Sequence, residues 1–455
     1  SPAMNTGFAL SGESGDVVLF NAPGQPVDWV SYGFQIQDLS IGRSGGAWRL
    51  LASPTPGTAN AAPAGLGSVT ALRINEWLAA GNGDDWFELH NLDALPVALG
   101  GLYLTDDPSI TGKTNTPVSA LSFIGGKGFV RWVADGSPGQ GRDHARFSLN
   151  QDGEMLRLYG ADLTLLDTVS FGLQTTNVSQ GRLPDGAANV VSFTTTPTPG
   201  EANYLPLTNV VINEVLSHTD APLEDAVELF NPTASPVNLG GWYLSDRASD
   251  LKRYRIPDGT TLPAGGYAVF YQNQFGPADG EDDVPPLFSF NSAHGDAVYL
   301  AEAGAGGNLT GYRSGESFAA TANGVSFGRH PTSVGVDFTA LSRRTFGVDN
   351  PTNAAHFRTG TGASNADPQV GPVVLNELMY HPAHGTNTAE NPDEEFLELH
   401  NLSGTNVPLH DPAHPTNTWR LANAVSFDFP ANTSLAAGGY LLVVPFDPVT
   451  DTNAL

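Results

Sequence analysis

The 455-residue chain has no cysteine, few basic residues and no long apolar run. Because cysteine is absent, disulfide bonds and thiolate metal sites are excluded. Lysine and arginine total 20 against 47 aspartates and glutamates, which gives a formal net charge of −27. A surface this negative repels phosphate backbones, so we expect no nucleic-acid partner. No segment reaches the roughly 18 apolar residues of a membrane-spanning helix, so we expect no membrane insertion.

A secretion signal is also missing from residues 1–10. We interpret this as removal of the signal or as an excerpt of a longer protein. Glycine and proline, by contrast, are abundant, with 52 and 34 residues. Both residue types interrupt helices and favour turns, so the sequence predicts many short strands. Apolar residues make up 40% of the chain, which is ordinary for a folded protein of several domains.

Three short motifs open a repeated unit. An apolar residue followed by Asn and Glu occurs at Ile74-Asn75-Glu76, Ile212-Asn213-Glu214 and Leu375-Asn376-Glu377. Glu-Leu-x-Asn follows at 88–91, 228–231 and 398–401. Leu-Gly-Gly before an aromatic strand follows at 99–104 and 239–244.

A second group of motifs closes the unit. Glycine and an acid precede an apolar strand at Gly15-Asp16, Gly153-Glu154 and Gly295-Asp296. Ser-x-Gly-Arg follows at 40–43, 179–182 and 326–329. Two copies end in Pro-Thr-Pro-Gly-x-Ala-Asn, at 54–60 and 197–203.

The order of these motifs predicts the domain layout. Residues 1–60 form a closing half, residues 69–203 and 209–350 form complete units, and residues 373–455 form an opening half. Residues 351–372 are rich in Gly, Thr, Asn and Pro and are interpreted as a linker. Only residues 204–208 separate the complete units, so we expect these two units to abut as a stiff pair.

Apolar residues alternate along the predicted strands, as in a sheet with one buried face. Phe87 and Leu89 match Val227 and Leu229, and all four are predicted to face inward. Their alternates Glu88, Glu228 and Glu398 are then predicted to point outward into solvent. Many short alternating strands between Gly or Asn turns predict an all-β fold of antiparallel sandwiches with little helix.

Taken together, these motifs resemble the lamin-tail family. The resemblance is fullest from 210 to 350, which carries Leu-Gly-Gly-Trp-Tyr-Leu-Ser-Asp at 239–246 and Pro-Ala-Gly-Gly-Tyr at 263–267. It implies tandem immunoglobulin-like sandwiches in a large secreted or cell-surface bacterial protein, with no catalytic residues. Departures at 124–128 and at Leu409-His410-Asp411 affect the expected loops and leave the sandwich in place.

Acidic residues precede each Glu-Leu-x-Asn strand, and calcium is the cofactor that such oxygen ligands favour. The candidate ligands are Glu76, Asp84, Asp85, Glu88, Glu214, Glu224, Asp225 and Glu228, with Glu377, Asp393, Glu394, Glu395 and Glu398 in the last unit. The alternative is that the outward acids are solvated and that Asn-Glu caps a turn. A catalytic carboxylate pair is disfavoured because these acids recur in every unit.

Two tryptophans, Trp77 and Trp86, occur in only one unit, and the strand register predicts that Trp86 faces outward. Exposed indole rings stack on sugars, so extracellular polysaccharide is a candidate ligand. The alternative is a contact between domains.

Five histidines lie in the last unit, at His381, His384, His400, His410 and His414. They are interpreted either as a zinc site or as loop histidines on an acidic surface. The sequence contains no Gly-x-Ser-x-Gly elbow and no phosphate-binding loop.

The sequence therefore predicts a non-catalytic extracellular spacer array within a larger protein, with neighbouring domains or further copies as partners. One alternative is a carbohydrate- or protein-binding accessory module of a polysaccharide-acting protein. Another is an enzyme whose catalytic domain lies outside this chain. The two half-units suggest a further hypothesis, in which halves from different chains complete each other and join the chains head to tail. The alternative is that the chain is an excerpt of a longer sequence.

Overall fold

The computed structural model describes residues 9–109, 111–275, 288–382, 394–422 and 424–447. Across these residues the regular secondary structure is almost entirely short antiparallel strands, which confirms the predicted all-β class. The helices among the described residues are single turns, at α1 Gln272–Phe275 and α2 Ala354–Phe357, with 3-10 turns at Val69–Ala71 and Gly112–Thr114. None of the described helices is long and apolar enough to cross a membrane.

The first part of the chain forms two hairpins. Their strands are β1 Gly15–Phe20, β2 Pro26–Tyr32, β3 Ile41–Ser44 and β4 Ala47–Leu50. Phe34, in the connection between the two hairpins, lies in the core of the next unit, where its ring meets that of Trp132 edge-on at 4.8 Å. This contact anchors the hairpins to the unit that follows.

The first complete unit is a sandwich of two sheets. Its strands are β5 Leu72–Leu78, β6 Trp86–Asn91, β7 Val97–Ala98, β8 Tyr103–Thr105, β9 Thr116–Pro117, β10 Phe123–Ile124, β11 Phe129–Val133, β12 Gly153–Tyr159, β13 Leu165–Gly172, β14 Ser179–Arg182 and β15 Val190–Phe193. One sheet has the order β11-β6-β5-β14-β15 and the other β13-β12-β8-β9. The core between them includes Ile74, Phe87 and Leu158, each with no exposed surface.

The second complete unit has the same arrangement. Its strands are β16 Leu205–Pro206, β17 Val211–Leu216, β18 Ala226–Phe230, β19 Val237–Asn238, β20 Tyr243–Ser245, β21 Tyr254–Arg255, β22 Thr261–Leu262, β23 Tyr267–Tyr271, β24 Asp296–Ala303, β25 Leu309–Phe318, β26 Phe327–Thr332 and β27 Gly335–Ala340. The sheets have the orders β23-β18-β17-β26-β27 and β16-β25-β24-β20-β21. Apart from β16, each strand therefore has a counterpart in the first unit.

Residues 351–372, predicted to be a linker, pack on the second unit over much of their length. Phe357 of α2 is fully buried beside Phe346, and its ring meets that of Tyr271 at 5.5 Å. Further along, Pro368 bridges to Leu341. The described structure thus includes this segment in the body of the second unit.

The last part of the chain has the strands β28 Val373–Met379, β29 Phe396–Asn401, β30 Val407–Pro408, β31 His410–Asp411, β32 His414–Thr418, β33 Arg420–Leu421, β34 Phe427–Asp428, β35 Ser434–Leu435 and β36 Tyr440–Val443. The sheet β28-β29-β36 corresponds to three strands of the complete units. The hairpin β31–β32 begins at His410, where the sequence departs from the Leu-Gly-Gly motif.

Candidate functional site: a buried polar clasp

The apolar-Asn-Glu motif forms a β-bulge in each of its three copies. In β5 the pairing with β6 shifts between Ile74 and Glu76, and the same shift occurs at the matching positions of β17 and β28. A bulge inserts one residue that has no partner on the next strand, and it redirects the side chains that follow. Here the inserted residue is the Asn, and Glu76 is placed directly opposite Glu88.

Closing residues of the same unit hold the Glu76 carboxylate. Ser179 of β14 donates its hydroxyl to Oε1. Thr198 donates its backbone N–H to Oε2 at 3.1 Å and its hydroxyl to the same oxygen at 3.0 Å. Because these donors lie more than 100 positions further along the chain, the contacts tie the closing half of the unit to its opening half.

The opposite carboxylate, Glu88, is bound in a similar way. Asn75 donates its side-chain amide to Glu88 Oε1 at 3.0 Å, and the backbone N–H of Gly200 donates to Oε2 at 2.7 Å. Asn203 completes the set by donating to the carbonyl oxygens of Asn75 at 3.3 Å and Arg182 at 2.9 Å. The final Thr-Pro-Gly-x-Ala-Asn segment therefore lies across the outer face of the sheet.

The second unit repeats these contacts. Ser326 donates to Glu214 at 2.5 Å, and Thr345 donates both its N–H and its hydroxyl to the same carboxylate. Asn213 donates to Glu228 at 2.6 Å, and Asn365 donates to the Asn213 carbonyl at 3.0 Å. We call this set the clasp: Asn75, Glu76, Glu88, Ser179, Thr198 and Asn203 in the first unit, and Asn213, Glu214, Glu228, Ser326, Thr345 and Asn365 in the second.

Burial keeps the clasp glutamates from ionising freely. The loss of hydration raises the pKa of Glu76 to about 7 and that of Glu228 to about 8. It also raises the pKa of Glu214, and that of Glu88 well above its usual range. Two facing carboxylates repel when both are charged, so each pair retains a proton near neutral pH.

The prediction that Glu88 and Glu228 point into solvent is wrong, because both side chains have no exposed surface. Each alternates with inward apolar residues and so faces away from the sandwich core, as predicted. The closing segment then covers that outer face, which the strand pattern alone does not reveal.

The exposure expected for Trp86 is also wrong. Trp86 is only 6% exposed. Leu78 on β5 and Val133 on β11 pair with it on either side in the same sheet. Trp77 is fully buried beside Phe171, with their ring centres 5.8 Å apart. Neither indole ring is open for a sugar to stack on.

The calcium candidates do not converge on one centre. Asp84 is exposed, whereas Glu224 is bound by Arg358, whose Nε lies 2.6 Å from its Oε1. Asp225 accepts from Thr219 at 2.9 Å, and burial raises its pKa to about 6. In the described ranges no group of three or more His, Asp or Glu side chains is placed to hold a metal ion.

Three histidines of the last unit have contacts with different neighbours. His384 and the acidic candidate Asp393 fall outside the described residues. His400 stacks on Tyr440 at 4.1 Å, His410 contacts the Thr433 carbonyl at 3.1 Å, and His414 contacts Asp411 at 3.1 Å. Each contact is local, and the three rings have different partners.

Several clasp residues were not identified from the sequence. The recurring Ser-x-Gly-Arg and Pro-Thr-Pro-Gly motifs contain Ser179, Thr198 and Asn203, and their recurrence in step with Asn-Glu is a signal that would have paired them. Asn365 lies in the segment interpreted as a linker, so its match to Asn203 was hidden. Asp185, which accepts from Asn75 at 2.9 Å, has no counterpart motif.

A groove of about 700 Å³ opens beside the second clasp, between Leu207, Tyr267 and Arg329. Asn213 and Asn365 line this groove, whereas Glu214 and Glu228 do not. The paired carboxylates are therefore enclosed by protein, and their chemistry is hydrogen bonding within the fold.

Comparison with known proteins bears on the second unit. Searches of curated proteins and of solved structures find no match to this chain. A protein-family model, the Lamin Tail Domain, matches residues 206–316. The matched stretch runs from β16 into β25 and includes Asn213, Glu214 and Glu228. Residues 206–316 are thus similar to the lamin tail domain, a non-catalytic immunoglobulin-like module.

Proposed function

We propose that the chain is a non-catalytic spacer array of tandem lamin-tail-like sandwiches within a larger secreted or cell-surface bacterial protein. The observation that carries this proposal is the clasp. Its polar residues recur from unit to unit, and in each unit they are hydrogen-bonded to one another between the two halves of the sandwich. Such residues stabilise a fold and present no reactive group to a substrate.

The joint between the complete units supports a mechanical role. Strand β16, which follows the first unit, pairs in parallel with β25 of the second, so the connection is itself part of a sheet. Arg313 lies 3.7 Å from the ring centre of Tyr204 and is only 7% exposed. A buried cation over an aromatic ring stabilises such a joint.

Close packing at the same joint restricts bending. Gly311 has φ of +87°, and a Cβ at this position would lie 2.2 Å from Cδ1 of Leu183 in the first unit. The two units therefore approach to a distance that only glycine permits. Interfaces of this kind limit the relative motion that is otherwise expected of adjacent domains.

A distance measurement between spin labels tests the spacer role. Because the natural chain has no cysteine, Leu165→Cys in the first unit and Val334→Cys in the second give two unique labelling sites. Both residues are exposed, at 47% and 95%. Double electron–electron resonance between the two labels is expected to give a narrow distance distribution for the otherwise unchanged chain.

Substitution at the joint then provides the comparison. Arg313→Gln should broaden the distribution, because it removes the cation over Tyr204. The matched control Arg255→Gln removes an exposed charge that pairs with Asp258 in the same unit, and it should leave the width unchanged. A broad distribution in the unsubstituted chain would contradict a stiff spacer. Fractionation of the producing cells tests location, with the protein expected in the medium or at the surface.

A further inference from the structure

A further acidic side chain supports the clasp of the first unit. Asp185 lies in the loop that follows β14, and its Oδ1 accepts from the Asn75 side chain at 2.9 Å and from the Asn203 N–H at 3.0 Å. The next residue, Gly186, donates its N–H back to Asn75 Oδ1 at 2.9 Å. Asp185 therefore connects the first residue of this clasp with its last.

The chain passes directly from this clasp into the joint between the complete units. Tyr204 follows Asn203, and its carbonyl accepts from the Thr196 hydroxyl at 2.7 Å, which fixes this point of the chain to the first unit. Strand β16 comes next and pairs with Tyr312 and Arg313 of β25. Tyr204 alone thus separates the last clasp residue from a sheet of the second unit, so a displacement of Asn203 is transmitted to the joint.

The loop that carries Asp185 also contacts the second unit. Leu183, two positions before Asp185, is 4% exposed and is the side chain on which Gly311 packs. Burial raises the pKa of Asp185 to about 6, and its hydrogen bonds and the positive charge of Arg313 oppose that rise. The Arg313 cation of the second unit therefore favours the charged form of an acid that supports the first clasp.

Arg313 is held in a fixed position at this joint. Its guanidinium lies over the rings of Tyr204 and Tyr299, at 3.7 Å and 6.0 Å from their centres. Within the described ranges no salt bridge includes Arg313, although its side chain is buried. A buried cation is stabilised by opposite charge nearby, and Asp185 supplies such charge from the other side of the joint.

The residues that follow the second clasp do not lead into this joint. After Asn365 the chain turns back onto its own unit, where Gln369 donates its N–H to the Ala340 carbonyl at 2.7 Å and Pro368 bridges to Leu341. Both contacts lie at the end of β27. The two clasps therefore share their hydrogen bonds and differ in what their last residue connects to.

We propose that Asp185 couples the first clasp to the joint, so that the two complete units stay stiffly connected only while that clasp is closed. When Asn203 leaves its place, β16 loses the fixed point that precedes it, and the joint becomes a hinge. The coupling is reciprocal, because two linked contacts stabilise each other equally. Docking of Arg313 therefore also stabilises the first clasp. This inference rests on the spacer role and names the condition under which the spacer bends.

The two spin labels introduced above measure this coupling in the full chain. Asn203→Ala and Asp185→Ala should each replace the narrow distance distribution by a broad one, because each removes a contact that holds the chain before β16. Asn365→Ala is the matched control for the first variant, since it removes the equivalent residue of the second clasp. Glu201→Ala is the control for the second, as an exposed acid of the same closing segment. Both controls should keep the narrow distribution.

Hydrogen exchange followed by mass spectrometry tests the reverse direction without a change in the first unit. Arg313→Gln should speed the exchange of amides in β14 and β15, although the substitution lies in the second unit. The control Arg255→Gln, also in the second unit, should leave these rates unchanged. In the two clasp variants, continued protection of β5 and β6 distinguishes a hinge from an unfolded first unit.

The outcomes separate this coupling from the spacer role. Narrow distributions in both Asn203→Ala and Asp185→Ala, or unchanged exchange in Arg313→Gln, would overturn the coupling and leave the spacer role intact. Equal broadening in Asn365→Ala would also overturn it, since that clasp does not lead into the joint. A broad distribution in the unsubstituted chain would contradict the spacer role and the coupling with it.

Discussion

Replacement of Glu228 by glutamine should make the second unit more stable at alkaline pH. Glu228 has no exposed surface, and burial raises its pKa to about 8 from an ordinary 4.5. The folded state thus binds a proton that the unfolded state releases above pH 4.5. Since stability falls with pH wherever the folded state binds more protons, the second unit loses stability between about pH 4.5 and pH 8.

The size of this loss follows from the pKa shift. At about 1.4 kcal/mol for each pH unit, ionisation of Glu228 costs the second unit about 3 kcal/mol by pH 7 and about 5 kcal/mol above pH 8. Glutamine resembles the protonated acid in shape and keeps an acceptor for Asn213. Glu228→Gln should therefore match the natural chain near pH 4.5 and exceed it at pH 8.

Differential scanning calorimetry of the full chain from pH 4.5 to pH 8.5 measures this effect. The transition that the substitution moves belongs to the second unit, and the other transitions serve as internal references. Glu302→Gln is a control for loss of charge, since Glu302 lies in the same unit outside the clasp. Equal pH dependence of Glu228→Gln and the natural chain, or a variant less stable at pH 8, would refute the reasoning.

Three further substitutions test the packing of the units by thermal unfolding. Gly181→Ala should destabilise the first unit by about 1–3 kcal/mol, because its Cβ would lie 2.6 Å from the Asn75 carbonyl; Gly139→Ala, with open space around it, should have no such effect. Asn365→Ala should destabilise the second unit by about 2 kcal/mol, because the Asn213 and Arg329 carbonyls lose their donor. The control Gln369→Ala changes an exposed side chain and should leave the stability unchanged. Equal stability of the two variants would indicate that residues 351–372 are a free linker. Trp86→Ala should lower the stability of the first unit by about 3–5 kcal/mol, since the residue is only 6% exposed. Unchanged stability would instead favour an exposed Trp86 that is free to bind a ligand.

Local patterns in the sequence predict the strands well. The alternation of Phe87, Glu88 and Leu89 places the apolar side chains in the core, and the structure confirms it. Periodicity of two follows from strand geometry, and it does not depend on the rest of the fold. The Gly and Asn turns likewise mark strand ends by their own backbone preferences.

Exposure of the outer face could not be predicted from the same patterns. Whether Glu76 and Glu88 meet solvent depends on Thr198 and Gly200, which lie more than 100 positions away and donate to these two carboxylates. A strand pattern reports which face a side chain takes and not what covers that face. For the same reason, residue type alone could not distinguish calcium ligands from buried hydrogen-bond acceptors.

Insertions concealed a further part of the site. In the first unit Asn203 lies five positions after Thr198, but in the second unit Asn365 lies twenty positions after Thr345. The intervening residues include α2, whose Phe357 is fully buried. Because the motif was interrupted, composition suggested a linker where the chain makes the last contact of a clasp.

A double-mutant cycle on Glu76 and Thr198 tests the central claim, that the recurring Asn-Glu motif fastens the two halves of a sandwich. The stability of Glu76→Ala, Thr198→Ala and the double variant is compared with that of the natural chain by calorimetry. The Thr198 hydroxyl donates directly to the Glu76 carboxylate at 3.0 Å, so a coupling energy of about 1–3 kcal/mol is expected. Additive effects of the two substitutions would contradict the clasp.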